Sequence, residues 1–155
     1  MGRVITPLAG LRVDQSYADA ARLVIDLRSR QLFARAEGLF DPDEPERVHK
    51  MRVATRRLRS ALEVFAPCFP AEEQRAVLDE VKTLAGALGE RRDCDVQTEI
   101  LADLRPRVGR RERDAIDELL GGLQRDQRKA NRRLAKALAR TEREHLETRL
   151  RQLSR

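Results

Sequence analysis

Apolar residues return every third or fourth position along most of this chain, a period that predicts helices and not strands. The clearest run is VHKMRVATRRLRSALEVF, residues 48–65, in which Val48, Met51, Thr55, Leu58, Leu62 and Phe65 form one row. Upstream, Ser16 followed by Asp19 reads as an N-cap with an acid in the first turn. It opens a helix expected over Tyr17–Phe40, with Ala20, Val24, Leu27 and Ala34 in one apolar row and Ala21, Ile25, Leu32 and Leu39 in another. Asp41–Glu46 (DPDEPE) reads as an acidic loop able to fold back on Arg47 and Lys50, and Pro45 suits the first turn of the next helix. Pro67 and Pro70 close the 48–65 helix. A third helix is expected over Ala71–Leu88, facing inward through Val77, Leu78, Val81, Leu84, Ala85 and Leu88, with Gly89 at the C′ position. Residues 89–93 then read as a short turn, after which a fourth helix, Asp93–Leu104, returns antiparallel with Val96, Ile100 and Leu104 as its core row. Pro106 ends it. A long helix from Arg110 to Arg140 is expected to cross Gly121-Gly122. Thr141 with Glu144 reads as a capping box that starts a last helix carrying Leu146, Leu150 and Leu153.

These elements describe an all-α antiparallel helical bundle of five to six helices, one domain over residues 1–155, with 1–15 as a lead-in segment. Composition agrees: of 155 residues 37% are charged and only 3% aromatic, a balance that suits packed helices and disfavours sheets. No stretch approaches the roughly 18 apolar residues of a membrane span, and MGRVITPLAG lacks the apolar run of a secretory signal. Cys68 and Cys94 lie outside any CxxC pattern and suit free thiols in a reducing compartment. A cytoplasmic protein is the expectation.

Charge changes the picture at one place. The net charge is +6, and most of the basic residues are arginine, whose planar fork fits phosphate and carboxylate oxygens. At about 100° per residue, His49, Arg52, Arg56 and Arg59 share a second stripe on the 48–65 helix, within an arc of roughly 80°; Arg57 lies on the far flank. No acid stands between Arg47 and Leu62 to neutralise them. Like charges three and four residues apart each destabilise a helix by a few tenths of a kcal/mol, which a bound polyanion relieves. The bland fate of such arginines is pairing with acids on neighbouring helices. Lys82, one position from Val81, and Arg91-Arg92 add to the basic set. Asp93 and Asp95 read either as caps of the fourth helix or as carboxylates that hold arginine forks in place. The seven basic residues between Arg125 and Arg140 read as a solvated face.

Catalytic motifs are missing: there is no Gly-rich phosphate loop, no G-x-S-x-G and no H-E-x-x-H. His49 sits among cations that repel a metal ion, His145 with Glu142 reads as a surface pair, and neither cysteine has a histidine near it in sequence. No catalytic residue, metal site or cofactor is expected.

The joint pattern H-x-x-R-V-x-x-R-R-L-R at residues 49–59 and L-G-x-x-R-D-x-D-V at residues 88–96, with Lys82 between them, resembles the signature of the CHAD family, the conserved histidine α-helical domain. The resemblance is clear over Pro45–Leu104 and looser over Asp114–Leu153. It implies an all-helical fold that binds inorganic polyphosphate through a basic surface; some members are fused to triphosphate-processing domains or localise to polyphosphate granules. By the resemblance, His49 is the namesake histidine, and Arg52, Arg56, Arg57, Arg59, Lys82 and Arg92 are polyphosphate contacts. The usual domain of that family pairs two similar bundles about a pseudo-two-fold axis, whereas this sequence holds one copy of the motif. A homodimer would regenerate the channel from two copies of the 48–65 helix. Two rival readings are a nucleic-acid-binding helical protein, for which the single Tyr and absent Trp leave few stacking platforms, and a scaffold bundle docking an acidic protein.

Overall fold

The computed structural model describes residues 10–41 and 44–155, so residues 1–9 of the expected lead-in and Pro42 and Asp43 of the acidic loop lie outside the described residues. The described residues form five α-helices and no strand: α1 Tyr17–Phe33, α2 Glu46–Val64, α3 Ala71–Leu104, α4 Arg110–Arg143 and α5 Leu146–Leu153. Short 3-10 turns at Ala66–Cys68 and Arg105–Arg107 join α2 to α3 and α3 to α4.

α1 begins where the cap predicts. The Asp19 amide donates to Ser16 Oγ at 3.1 Å, and the Ser16 hydroxyl donates to the Asp19 carboxylate at 2.6 Å. The helix ends at Phe33, short of the expected Phe40. Arg35 N–H bonds Leu32 O and Ala36 N–H bonds Phe33 O, a tightened last turn. Gly38 then takes φ +66 and returns Leu39 to the core at 3% exposure. A Cβ at Gly38 would sit 2.6 Å from the Arg47 guanidinium, which explains the glycine. Arg47 donates to Glu37 O at 3.0 Å and holds both Glu44 oxygens at 2.8 and 3.0 Å. The acidic loop thus does fold back, on Arg47. Apolar spacing alone continues through this turn, and for that reason it overran the helix end.

The α2 row is buried as expected at Val48, Met51, Thr55, Leu58 and Leu62. Phe65, only half-buried, tilts against Tyr17 with ring centres 5.2 Å apart. Gln74 Nε2 donates to Leu62 O at 2.8 Å across the hairpin between α2 and α3.

The largest departure is α3. No turn forms at residues 89–93: one helix of 34 residues runs from Ala71 to Leu104 with Gly86 and Gly89 inside it. A helical glycine costs about 1 kcal/mol relative to alanine, a penalty the continuous ladder and packing absorb where no proline intervenes. Val96, Ile100 and Leu104 are consequently no core row; they are 36%, 58% and 43% exposed. Beyond Leu88 the only buried α3 residues are Arg91 and Asp95. α4 runs back along α3, as the cross-links Arg105–Asp117, Asp95–Gln127, Arg91–Asn131 and Glu90–Arg133 establish by stepping in opposite directions along the two helices.

α4 crosses Gly121-Gly122 unbroken, as predicted, and continues to Arg143. The expected capping box does not form. Thr141 is still inside α4 and its hydroxyl donates to Leu138 O at 2.7 Å. The direction changes instead at His145, in the left-handed region at φ 52. From there α5 buries Leu146, Leu150 and Leu153 against α1, α3 and α4. The core is concentrated where all five helices meet, around Ile25, Met51, Leu58, Leu84, Leu134 and Leu150.

Candidate functional site

The apolar row of α2 is sealed between α1 and α3, so its polar arc faces outward and its flanks border the two seams. Tyr17 and Phe65 bring the start of α1 to the end of α2, and the hydroxyl of Tyr17 lies 3.4 Å from Val64 O. α1 and α2 are therefore antiparallel, and two clefts lie along their seam. The first, about 230 Å³, is lined by Gln31, Arg35, His49, Lys50, Val53, Ala54 and Arg57. The second, about 400 Å³, is lined by Val24, Arg28, Arg56, Arg57, Ser60, Ala61, Val64 and Phe65. No carboxylate lines either cleft. Arg57, on the far flank of the basic stripe, is the residue common to both.

Partial burial, and then the charge of Arg57, push the Arg28 guanidinium below its ordinary range. Arg28 donates to Gln31 Oε1 at 2.8 Å, a neutral acceptor that orients the fork without neutralising it. Among the described residues Arg35, His49, Lys50, Arg52, Arg56, Arg57 and Lys82 are in no ion pair with a carboxylate.

The remaining members of the sequence-derived set sit differently. Arg59 is paired with Glu63 at 3.0 Å, the first acid beyond the acid-free window. Arg92 is paired with Glu99 at 3.1 Å and its side chain is only 13% exposed. Counting eight and eighteen equal steps outward from the Leu62–Gln74 bond sets Lys82 level with Ala54 and Arg92 level with Glu44. Lys82 thus flanks the middle of α2 on the α3 side, together with half-buried Arg52, while Arg92 lies past the start of α2. The structure brings His49, Arg56 and Arg57 together with Arg28 and Arg35; it leaves Arg92 apart. Arg28 and Arg35 were missed in the sequence, although within the expected Tyr17–Phe40 helix their spacing of seven puts them on one face; in the structure Arg28 stands on α1 and Arg35 in the turn just past its end at Phe33.

Asp95 serves the second of its two sequence readings. It forms a buried ion pair with Arg91, accepts from Gln127 Nε2 at 3.0 Å, and Arg91 in turn donates to Asn131 Oδ1 at 2.6 Å. With no helix start at Asp93, neither acid is a cap. Farther away, Arg133 is paired with Glu90 at 2.8 Å and Lys129 with Asp126 at 3.4 Å, so the basic run of α4 is partly neutralised. The described residues contain no group of three or more His, Cys, Asp or Glu able to hold a metal ion, and no helix long and apolar enough to cross a membrane.

A family model described as CHAD domain matches residues 23–155. Two uncharacterized proteins of Mycobacterium tuberculosis, from strains CDC 1551 and ATCC 25618, are each 43% identical over 54 residues, which is 35% of this chain and 10% of theirs. The chain therefore matches about a tenth of the length of those curated relatives. No solved structure matches it.

Proposed function

Because this chain belongs to the CHAD family, some of whose members bind polyphosphate, we propose that it is a non-catalytic module that binds inorganic polyphosphate along α2. The observation that carries this reading is the pair of clefts between α1 and α2, lined by Arg28, Arg35, His49, Lys50, Arg56 and Arg57 and by no acid. Polyphosphate is a flexible line of charge, about one negative charge per unit. A seam between two antiparallel helices offers it a line of donors instead of a point. Guanidinium forks bind two oxygens at once, in bonds roughly twice as strong as neutral ones. Arg52 and Lys82 extend the donor set toward α3. Arg59 and Arg92 contribute less, each being already held by a carboxylate. The ligand would also place such a protein in the cytoplasm, at polyphosphate granules.

Calorimetric titration with polyphosphates of graded length at two salt concentrations tests the reading. Affinity rises with chain length until the seam is filled, and falls steeply with salt by counterion release. Absence of a heat signal with long chains at low salt rejects it. Displacement of polyphosphate by DNA at equal phosphate concentration would transfer the site to nucleic acid.

A further inference from the structure

Past Leu88, the α3–α4 hairpin buries Ile116 but leaves several of its large apolar residues exposed. Ile100 is 58%, Leu104 43% and Leu119 57% exposed. Ile100 and Leu119, with Leu101, Ala115 and Leu123, line an open groove of about 860 Å³. Gly122 is part of its lining, and Glu118 and Arg125 border it. Two features of this groove bear on what could cover it. First, a Cβ on Gly121 or Gly122 would meet only the end of the Arg125 side chain, at 3.9 and 3.8 Å. Alanine would fit at both positions, yet the helix bears the cost of two interior glycines, about 1 kcal/mol each. Second, Glu118 and Arg125 take part in no ion pair among the described residues, and they stand three residues either side of the glycine pair.

We propose that a second copy of this chain docks across this groove, with the two α4 helices antiparallel and crossing at the Gly121-Gly122 step. Absent side chains let two backbones approach closely there. The antiparallel arrangement sets Glu118 of each copy opposite Arg125 of the other, so a two-fold axis satisfies all four charges at once. Such self-complementarity is what an isologous pair requires, and it singles out a second copy from other apolar occupants. The groove shares no residue with the α1–α2 clefts. The pairing is therefore separate from the expected dimer through α2 and does not rest on the anion reading. A face two helices wide and, from Arg91 to Leu104, about 21 Å long is small beside standard interfaces, so association is concentration-dependent in the micromolar range.

Sedimentation equilibrium on the full chain, without polyanion, tests it. The wild type should move from one to two chains per particle as concentration rises through the micromolar range. E118R and R125E should each weaken association at least tenfold, the first facing Arg with Arg and the second Glu with Glu. An equimolar mixture of the two variants should restore it, because each mixed pair again joins opposite charges. Circular dichroism of each variant reports folding, and restoration on mixing shows independently that both are folded. A wild type that stays single throughout, single variants that associate like the wild type, or a mixture that fails to recover would each overturn the proposal.

Discussion

Exchanging Arg56 and Arg57 for alanine separates a cleft site from diffuse attraction to a positively charged protein. Both side chains are exposed, both line the larger α1–α2 cleft, and neither is in an ion pair among the described residues. A hydrogen bond to a charged group is worth about 1.5–3 kcal/mol net, but exposure and screening reduce this to about 1 kcal/mol per guanidinium. Together the two losses come to about 2 kcal/mol, or roughly 30-fold in affinity at 1.4 kcal/mol per tenfold. The slope of log affinity against log salt should also flatten by about 1.4, at about 0.7 per phosphate contact on a single strand. The control removes the same formal charge elsewhere: Arg59→Ala with Arg92→Ala, whose guanidinium groups already serve Glu63 and Glu99. That variant should lose less than about threefold, since each guanidinium is already engaged by a carboxylate of its own. Fluorescence anisotropy with end-labelled long-chain polyphosphate measures both, with helicity checked by circular dichroism. Equal losses in the two variants would refute the cleft and leave only net charge; an unchanged affinity in the first would remove α2 from the site.

Other expectations concern stability and the thiol. Leu58→Ala, at a position with 0% exposure, should cost about 2–5 kcal/mol in urea unfolding. Asp95→Ala leaves Arg91 buried without its carboxylate and should cost about 3–5 kcal/mol, whereas Arg91→Met with Asp95→Leu should recover much of that loss; equal destabilisation in both would deny the pair its role. Asp19, Glu44 and Asp117 are held below their ordinary values chiefly by bonds from Ser16, Arg47 and Arg105 respectively. Their contribution is full above the unfolded values of 4.5 for glutamate and 3.8 for aspartate and is lost as pH falls below them. The Asp19→Asn, Glu44→Gln, Asp117→Asn variant should accordingly show a shallower acid limb in melting temperature against pH. Burial raises the Cys94 thiol above 9.0, against the opposing pull of Arg91. In a Cys68→Ser background, alkylation rate against pH should have its midpoint above that of a free thiol, and a midpoint at or below that of a free thiol would contradict the placement.

The parts of this fold that were legible in the sequence are those decided within a few residues. The Ser16 cap, the apolar row from Val48 to Leu62 and the passage of α4 through its glycine pair follow from local chemistry and helical period. The errors arose where that chemistry was ambiguous. Gly89 has the same appearance as a C′ residue and as a tolerated interior glycine, and only the continuing contacts of α3 with α4 decide for the latter. Mistaking it for a stop turned Val96, Ile100 and Leu104 into a core row, although they stand on the exposed side of a two-helix arm. Thr141 and Glu144 have capping-box spacing, yet Thr141 bonds back along α4 and the turn falls at His145. At the candidate site the α2 stripe was readable from its charges alone. Its division was not: Glu63, just outside the acid-free window, takes Arg59, and the partners come from another element, Arg28 from α1 and Arg35 from the turn just past its end.

α5 lies against α1 although more than a hundred residues separate them in the chain. The hairpins α1–α2, α2–α3 and α3–α4 can each form from neighbouring segments as they leave the ribosome. The surface that Leu146 and Leu150 cover must wait until α2, α3 and α4 have also been made. A long loop costs only slightly more entropy than a short one to close, so the docking of α5 on α1 is thermodynamically inexpensive but later in time than the three hairpins. During that interval the nascent bundle shows a greasy flank, which makes biosynthesis, more than the mature fold, the stage at which chaperones would meet this protein.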